Sequence, residues 1–389
     1  MKILYDHQIF GKQHFGGISR YFCELMNHFS RDPDIRFRLA LRYSQNENLH
    51  QLSQLNQFWT KRNDFFSDSL FFTRLQRRLH INVLNHVFNN RQEAVRRLKE
   101  QDFDLFHPTY YDPYFLEYLG KRPYILTVYD MTHERNPGNF ILKDSTTDWK
   151  KKLAENAAAI IAISENTKAD ITKYLDVNPD RIQVIHLASS LNSENNPGDN
   201  TQLTGLYGRH SLPEKYLLFI GNRICYKNFK FMIKALGPVF ERESDLHLVC
   251  AGGGTFSDSE RKLMQQMNIT SRVHLFPADD ITLQQLYLNA RAFIFPSLYE
   301  GFGIPVLEAF SCQCPAVLSN TSSLPEVGGD AALYFNPDDG ESLADAIERI
   351  LSDEHLREDL ITKGSKRAKL FSWEKTVTMT KKVYQAAIE

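Results

Sequence analysis

The sequence predicts an α/β protein built from two parallel-sheet domains, and three observations carry that reading. Short apolar runs recur along the chain with helix-compatible stretches between them, the pattern of strands buried on both faces of a parallel sheet. A polar tract at 189–208, rich in Asn, Ser, Pro and Gly, interrupts this alternation once, after which it restarts. The segment 295–310 reads as a buried strand that passes through a glycine turn into a helix, with Glu300 and Glu308 along it.

In the first half the strand-like runs fall at 3–5, 35–41, 103–106, 124–128, 159–163 and 181–187. The second series falls at 216–220, 246–251, 272–276, 292–296, 316–318 and 332–335. With the polar tract as linker, the expected domains are a Rossmann-like unit over 1–200 and a second over 201–371. The stretch 372–389 has a Ser372 N-cap with Glu374 nearby and apolar Trp373, Val377, Val383 and Tyr384, which suits an amphipathic helix. Ligands of open parallel sheets sit beyond the carboxyl ends of the strands, so two such domains facing one another place the expected site in a central cleft.

At 389 residues the chain exceeds one typical core, which agrees with two domains. The balance of 46 Lys and Arg against 47 Asp and Glu gives no global pull toward nucleic acid. No secretion signal opens the sequence, and no apolar run approaches the roughly 20 residues of a membrane helix. The five cysteines are scattered and odd in number, which suits a reducing cytoplasm, and Cys312 and Cys314 are spaced wrongly for a C-x-x-C site.

Chemistry concentrates at strand ends. Gly301 and Gly303 let backbone amides approach a ligand, and Pro305 suits the first turn of a helix whose free N–H groups and dipole favour an anion. Two carboxylates beside an anion site would repel it unless they faced something else, so Glu300 and Glu308 read as acceptors for sugar hydroxyls. After the strand at 216–220, Gly221 is followed by Arg223 and Lys227, which put positive charge at the same sheet edge.

The segment 295–310 resembles the E-x7-E motif of retaining glycosyltransferases of family 4 (glycosyl transferases group 1), and 221–228 resembles that family's R-x(3)-K-N element. The resemblance implies the GT-B fold, with the last helix, 372–389, crossing back onto the N-terminal domain. It also implies a nucleotide diphosphosugar donor used without metal or other cofactor, with retained anomeric configuration. By the same resemblance Glu300 contacts the donor sugar, Glu308 the ribose, and Arg223 and Lys227 the diphosphate. Gly301, Phe302, Gly303 and Ile304 would complete that wall of the donor site, with Gly221 opposite. Gly16 and Gly17, after the first strand, resemble the family's G-G loop near the donor phosphate, and Gly252 begins its glycine turn near the nucleoside. Phe276 would lie near the base, although Pro277 stands where relatives often have glycine.

Many relatives carry a His-Asp pair after the strand at 124–128. Here Tyr129 precedes Asp130 and the histidine comes at 133, so Asp130 and His133 are the catalytic candidates of this loop, with Tyr129 and His107 as others. The 252–254 glycines lack the Lys-Ser/Thr of a P-loop, which excludes that kind of kinase or ATPase. The D-x-D pairs at 32–34 and 102–104 precede strands and read as solvated turns, not metal sites. Residues 57–99 are dense in Phe and Arg; they can touch an anionic inner-membrane face or a lipid diphosphate acceptor, or pack as ordinary amphipathic helices. The expected function is transfer of a hexose such as mannose or glucose to a glycan or lipid-linked glycan acceptor, in bacterial surface polysaccharide assembly. A nucleotide-sugar epimerase or hydrolase, or a silent sugar-nucleotide-binding protein, is the alternative.

Overall fold

The computed structural model describes residues 1–51, 81–135, 145–191 and 212–389. Two compact units emerge: Met1–Ile163 with Thr167–Ile185 and Trp373–Glu389, and Ser164–Asn166 with His186–Ser372. The expected boundary at 200 lies outside the described residues. Residues 186–191, placed by sequence in the first domain, group with the second unit, where His186 Nε2 lies 2.7 Å from Glu326 Oε1 and its ring stacks on Phe302.

The first unit contains β1 (Lys2–Tyr5), β2 (Arg36–Leu39), β3 (Leu105–His107), β4 (Ile125–Val128), β5 (Ala159–Ala162) and β6 (Ile182–Val184). All pair in parallel as β2-β1-β3 and β4-β5-β6, and a Phe106–Tyr124 bridge joins the two sets. Every residue of β4 is buried, as expected of a strand covered on both faces. The helix Gly17–Phe29 buries Tyr21, Phe22, Leu25, Met26 and Phe29, spaced three or four apart, so one stripe meets the sheet.

The C-terminal helix, Trp373–Ile388, belongs to this unit and packs on Gly17–Phe29 and β3. Its anchor is polar. The Tyr384 hydroxyl lies 2.6 Å from His107 Nδ1 and 3.2 Å from the Tyr5 hydroxyl, while His107 Nε2 lies 2.9 Å from Thr127 Oγ1. Tyr5, Tyr384 and His107 are wholly buried, so each pairing removes a polar group that burial would otherwise penalise. Lys381, bonded to Asp32 at 2.7 Å, adds a partly buried ion pair at the rim.

Burial lowers the His107 pKa to about 3. An unfolded histidine takes up a proton below about pH 6.5, whereas His107 stays neutral in the folded chain, so stability is lost as pH falls between those two values. The slope from this one group reaches about 1.4 kcal/mol per pH unit. Urea unfolding at pH 7, 6, 5 and 4 should show His107→Gln less stable at neutral pH but with a shallower acid slope than the parent. Equal slopes would contradict the buried neutral imidazole.

The second unit holds β7 (Tyr216–Ile220), β8 (His247–Ala251), β9 (Val273–Phe276), β10 (Ala292–Phe295), β11 (Ala316–Ser319) and β12 (Ala332–Phe335). Its parallel sheet runs β12-β11-β10-β7-β8-β9, the doubly wound order of nucleotide-binding α/β folds. The order reverses between β7 and β10, which places a crevice at their carboxyl ends. Leu217, Phe219, Leu248, Cys250 and Ile294 form the core under the covering helices. Cys250, Cys312 and Cys314 are buried with thiol pKa values pushed up by burial, which fits packing and not ligation.

Candidate functional site

The loops that leave β7 and β10 meet at the reversal of the second unit's sheet. Lys227 Nζ donates to Glu300 Oε1 at 2.6 Å, and the Leu298 N–H donates to the Tyr226 carbonyl at 2.8 Å. The two charged side chains are 14% and 13% exposed, shielded enough to interact strongly yet reachable from solvent. The Lys227 ammonium also sits 5.2 Å from the Phe295 ring.

Hydroxyl groups hold the 300–303 turn in shape. The Glu300 N–H donates to Ser322 Oγ at 3.0 Å, and Ser164 Oγ donates to the Gly301 carbonyl at 2.7 Å. Ser323 Oγ lies 2.9 Å from the Glu300 carbonyl and 2.7 Å from that of Phe302. Gly303 has φ 113°, a left-handed conformation that favours glycine, and Pro305 follows in the first turn of the helix Ile304–Ser311. That helix carries Glu308, whose Oε2 accepts from the Tyr287 hydroxyl at 3.1 Å. Tyr287 is fully buried; burial first, and then the Glu308 charge, hold its pKa well above the ordinary value. Sequence reading missed Tyr287, since a tyrosine inside the helix Asp280–Asn289 looks like core packing. Removing its hydroxyl in Tyr287→Phe deletes one hydrogen bond that orients Glu308, at a cost of about 1 kcal/mol. If Glu308 grips the donor, steady-state kinetics should show a donor KM raised about five-fold with kcat little changed.

Arg223 does not stand beside Lys227 as a second outward cation. Its side chain is 4% exposed and turns onto the loop after β8, with Nε donating to Glu260 Oε1 at 3.0 Å and Nη1 to the Gly252 carbonyl at 3.0 Å. The physical reason is a run of carbonyls made available by Gly252, Gly253 and Gly254, all at positive φ. Gly221, at φ 124°, donates its N–H to the Ala251 carbonyl and brings the two loops side by side. Phe276 ends β9 and is buried, and Asp279 just beyond it caps the next helix through the Thr282 N–H at 3.0 Å.

In the first unit, Gly16 and Gly17 form the start of the helix Gly17–Phe29, and the Gly16 carbonyl accepts from Ser19 Oγ at 2.9 Å and Asn48 Nδ2 at 3.0 Å. Asp130 and His133 are half-buried beyond the carboxyl end of β4. Burial works to raise the Asp130 pKa, but the Lys150 ammonium and the Thr132 N–H outweigh it and hold the carboxyl below its ordinary value. Lys150 is 1% exposed, donating to the Asp130 carbonyl at 2.8 Å and to Glu134 Oε2 at 3.0 Å. Nothing in the sequence separates Lys150 from its neighbours Lys151 and Lys152. Tyr129 and His107 are interior, and both ring nitrogens of His107 are engaged in the Tyr384 anchor.

The family models for Glycosyltransferase Family 4 and Glycosyl transferases group 1 match residues 15–189 and 208–367. An O-antigen chain mannosyltransferase B of Escherichia coli is 30% identical over 306 residues, covering 77% of this chain and 78% of its own length. The chain belongs to glycosyltransferase family 4. Among solved structures, Anabaena HepE in complex with UDP and glucose superposes with a TM-score of 0.71 at 16% identity, covering 99% of each chain. The sucrose-phosphate synthase of Thermosynechococcus elongatus gives 0.72 at 20% identity, covering 99% of this chain and 98% of its own. With parallel sheets in two units, these likenesses make the fold of this glycosyltransferase GT-B.

Within the glycosyltransferase, the D-x-D pairs lie at strand starts and are ion-paired: Asp32 with Lys381, and Asp102 with Lys2. Of the 57–99 segment, residues 57–80 lie outside the described residues. In the helix Ile81–Glu100 that follows, Arg96 and Arg97 both pair with Glu93, whose side chain is 4% exposed and also meets Arg42. Burial opposes ionisation of Glu93, yet Arg96 and Arg97 hold its pKa down to about 2. Those two arginines are therefore engaged by the fold.

Proposed function

We propose that this glycosyltransferase moves a hexose, mannose foremost, from a nucleotide diphosphosugar to a hydroxyl of a glycan or lipid-linked glycan, retaining the anomeric configuration and using no metal. The observation that carries the reading is the Lys227–Glu300 contact at the β7/β10 reversal, with Glu308 one helix turn beyond the glycine turn. A cation and a carboxylate at 2.6 Å are each other's partner until a ligand supplies better ones. A diphosphate takes Lys227, and sugar hydroxyls take Glu300. The Gly303 turn and the Ile304 N–H at the start of Ile304–Ser311 add donors for the phosphate, and Glu308 accepts from the ribose.

Catalysis then rests on holding the leaving diphosphate's charge and on positioning. Asp130, held below its ordinary carboxyl pKa by Lys150, and half-buried His133 are the first unit's candidates for contact with the reacting sugar. The departing phosphate oxygen accepts the acceptor's proton on the same face, which preserves configuration. The relationship to an O-antigen mannosyltransferase supports mannose and bacterial surface polysaccharide assembly. Among the described residues no helix is long and apolar enough to cross a membrane. Five free cysteines, Cys225 exposed among them, support a reducing compartment and hence a cytoplasmic enzyme working on a membrane-carried acceptor.

The test is turnover of GDP-mannose, UDP-glucose and ADP-glucose with a mannan-type acceptor in the presence of EDTA, with NMR of the product's anomeric proton. A product of the donor's own configuration is expected. Inversion, EDTA inhibition, or donor conversion that needs no acceptor would overturn the reading, the last in favour of an epimerase or hydrolase.

A further inference from the structure

The helix Thr146–Asn156 carries Lys150, whose side chain is 1% exposed, against the loop that holds Asp130 and His133. Its ammonium donates to the Asp130 carbonyl at 2.8 Å and to Glu134 Oε2 at 3.0 Å, and lies 5.1 Å from the centre of the Tyr111 ring. The Tyr111 hydroxyl in turn accepts the Tyr129 N–H at 3.0 Å. One residue beyond Glu134, Arg135 Nη1 reaches the two carboxylate oxygens of Asp170 at 3.1 and 3.3 Å. Positions 129, 130, 134 and 135 are thus tied to the body of the first unit, and Lys150 makes the ties at 130 and 134.

The loop cannot hold this shape by itself. Thr132–Arg135 is a single helical turn, far below the length at which a helix is stable in water. A buried Lys–Glu pair is also a poor source of stability, since taking two charges out of water costs about as much as their attraction returns. What the pair does supply is geometry. With the Glu134 side chain 2% exposed, a carboxylate and a peptide carbonyl held by one ammonium fix the spacing of residues 130 and 134, which bracket His133. Burial works to raise the Asp130 pKa, and the same ammonium, with Thr132, outweighs it. Asp130 and His133 are half-buried beyond the carboxyl end of β4, the edge at which ligands of parallel sheets bind.

We propose that Lys150 is a positioning residue for sugar transfer: from the helix Thr146–Asn156 it holds the Asp130 and His133 loop in the shape from which that loop meets the reacting sugar. This rests on the place given to Asp130 and His133 in the proposed function. Lys150 itself reaches no substrate, because its ammonium is enclosed by protein groups.

Holding the loop and holding the fold are separable. Lys150→Met alone leaves Glu134 as a buried unpaired charge and should destabilise the first unit, whereas Lys150→Met/Glu134→Gln removes both charges and should melt close to the parent. With whichever of GDP-mannose, UDP-glucose and ADP-glucose the parent turns over, and a mannan-type acceptor, this double variant should lose about 10- to 100-fold in kcat, the scale set by a small misplacement of reacting groups. Its donor KM, and its UDP and GDP affinities by calorimetry, should stay within about two-fold of the parent's, because the proposed nucleotide site lies in the second unit. A folded double variant with the parent's kcat would overturn the inference and leave Lys150 a structural ion pair. So would a loss of nucleotide affinity as large as the loss of rate. If melts show that this variant does not fold, Lys150→Gln/Glu134→Gln, whose amides can hydrogen-bond one another, takes its place with the same expected and overturning results. Asp130→Asn and His133→Ala are assayed alongside. If both keep the parent's kcat, the reading of the loop fails and the role of Lys150 with it; if either loses kcat while the double variant keeps it, only the role of Lys150 is overturned.

Discussion

Lys227→Ala should reduce sugar transfer by about 10²- to 10³-fold, the scale seen when one preorganised donor to a developing anion is removed. Lys227 is the cation that the site leaves opposite Glu300, at 2.6 Å, because Arg223 faces the glycine turn. Deleting it takes positive charge from the leaving diphosphate and also frees Glu300 to repel that diphosphate. Both effects grow as charge develops, so kcat should fall along with kcat/KM. The fold should tolerate the change. The pair is part-exposed at the mouth of a loop, so water can solvate the orphaned carboxylate, and the melting temperature should move by no more than a few degrees. Initial rates with saturating donor, alongside a thermal melt, check both halves. An active Lys227→Ala enzyme would remove the basis for the donor site, and a collapsed one would recast Lys227 as structural.

Tyr384→Ala should show the opposite profile, a large loss of stability from a residue far along the C-terminal helix. The wholly buried ring packs edge-on to His107 with centroids 5.6 Å apart, and its hydroxyl serves His107 and Tyr5 together. Truncation leaves a cavity and strands two buried polar groups, a combined cost of about 4–6 kcal/mol. The melting temperature of the first unit should fall by on the order of 10 °C. Tyr384→Phe keeps the ring and loses only the hydroxyl, so it should account for about 1–3 kcal/mol of that total. Chemical denaturation of both variants separates the terms. If Tyr384→Phe matched the parent, the hydroxyl network would not be what seats this helix.

These two residues show what the sequence does and does not disclose. Lys227 and Glu300 were legible because each follows an apolar strand, and a parallel sheet sends the residues after its strands to one edge. The strands themselves stood out for the same reason, since burial on both faces removes polar residues from runs such as 216–220 and 292–295. In the sequence Tyr384 is one apolar position of an amphipathic helix; that its hydroxyl meets His107, 277 residues away, is a fact of packing that no local pattern carries. His107 looked like a site candidate by its place after β3, yet its nitrogens serve the anchor. Arg223 was legible as a loop cation but not in its direction, which depends on carbonyls about 30 residues downstream. Lys150 and Tyr287 escaped because buried polar groups on helices leave no periodic signature.

The central claim is that the second unit holds the donor at the reversal of its own sheet. Hydrogen–deuterium exchange with and without a turned-over nucleotide diphosphosugar tests it directly, since amides that bind phosphate are protected. Protection concentrated at 221–228, 252–256 and 300–308 is the predicted result. A donor that is turned over while those three segments exchange as in the free enzyme would contradict it.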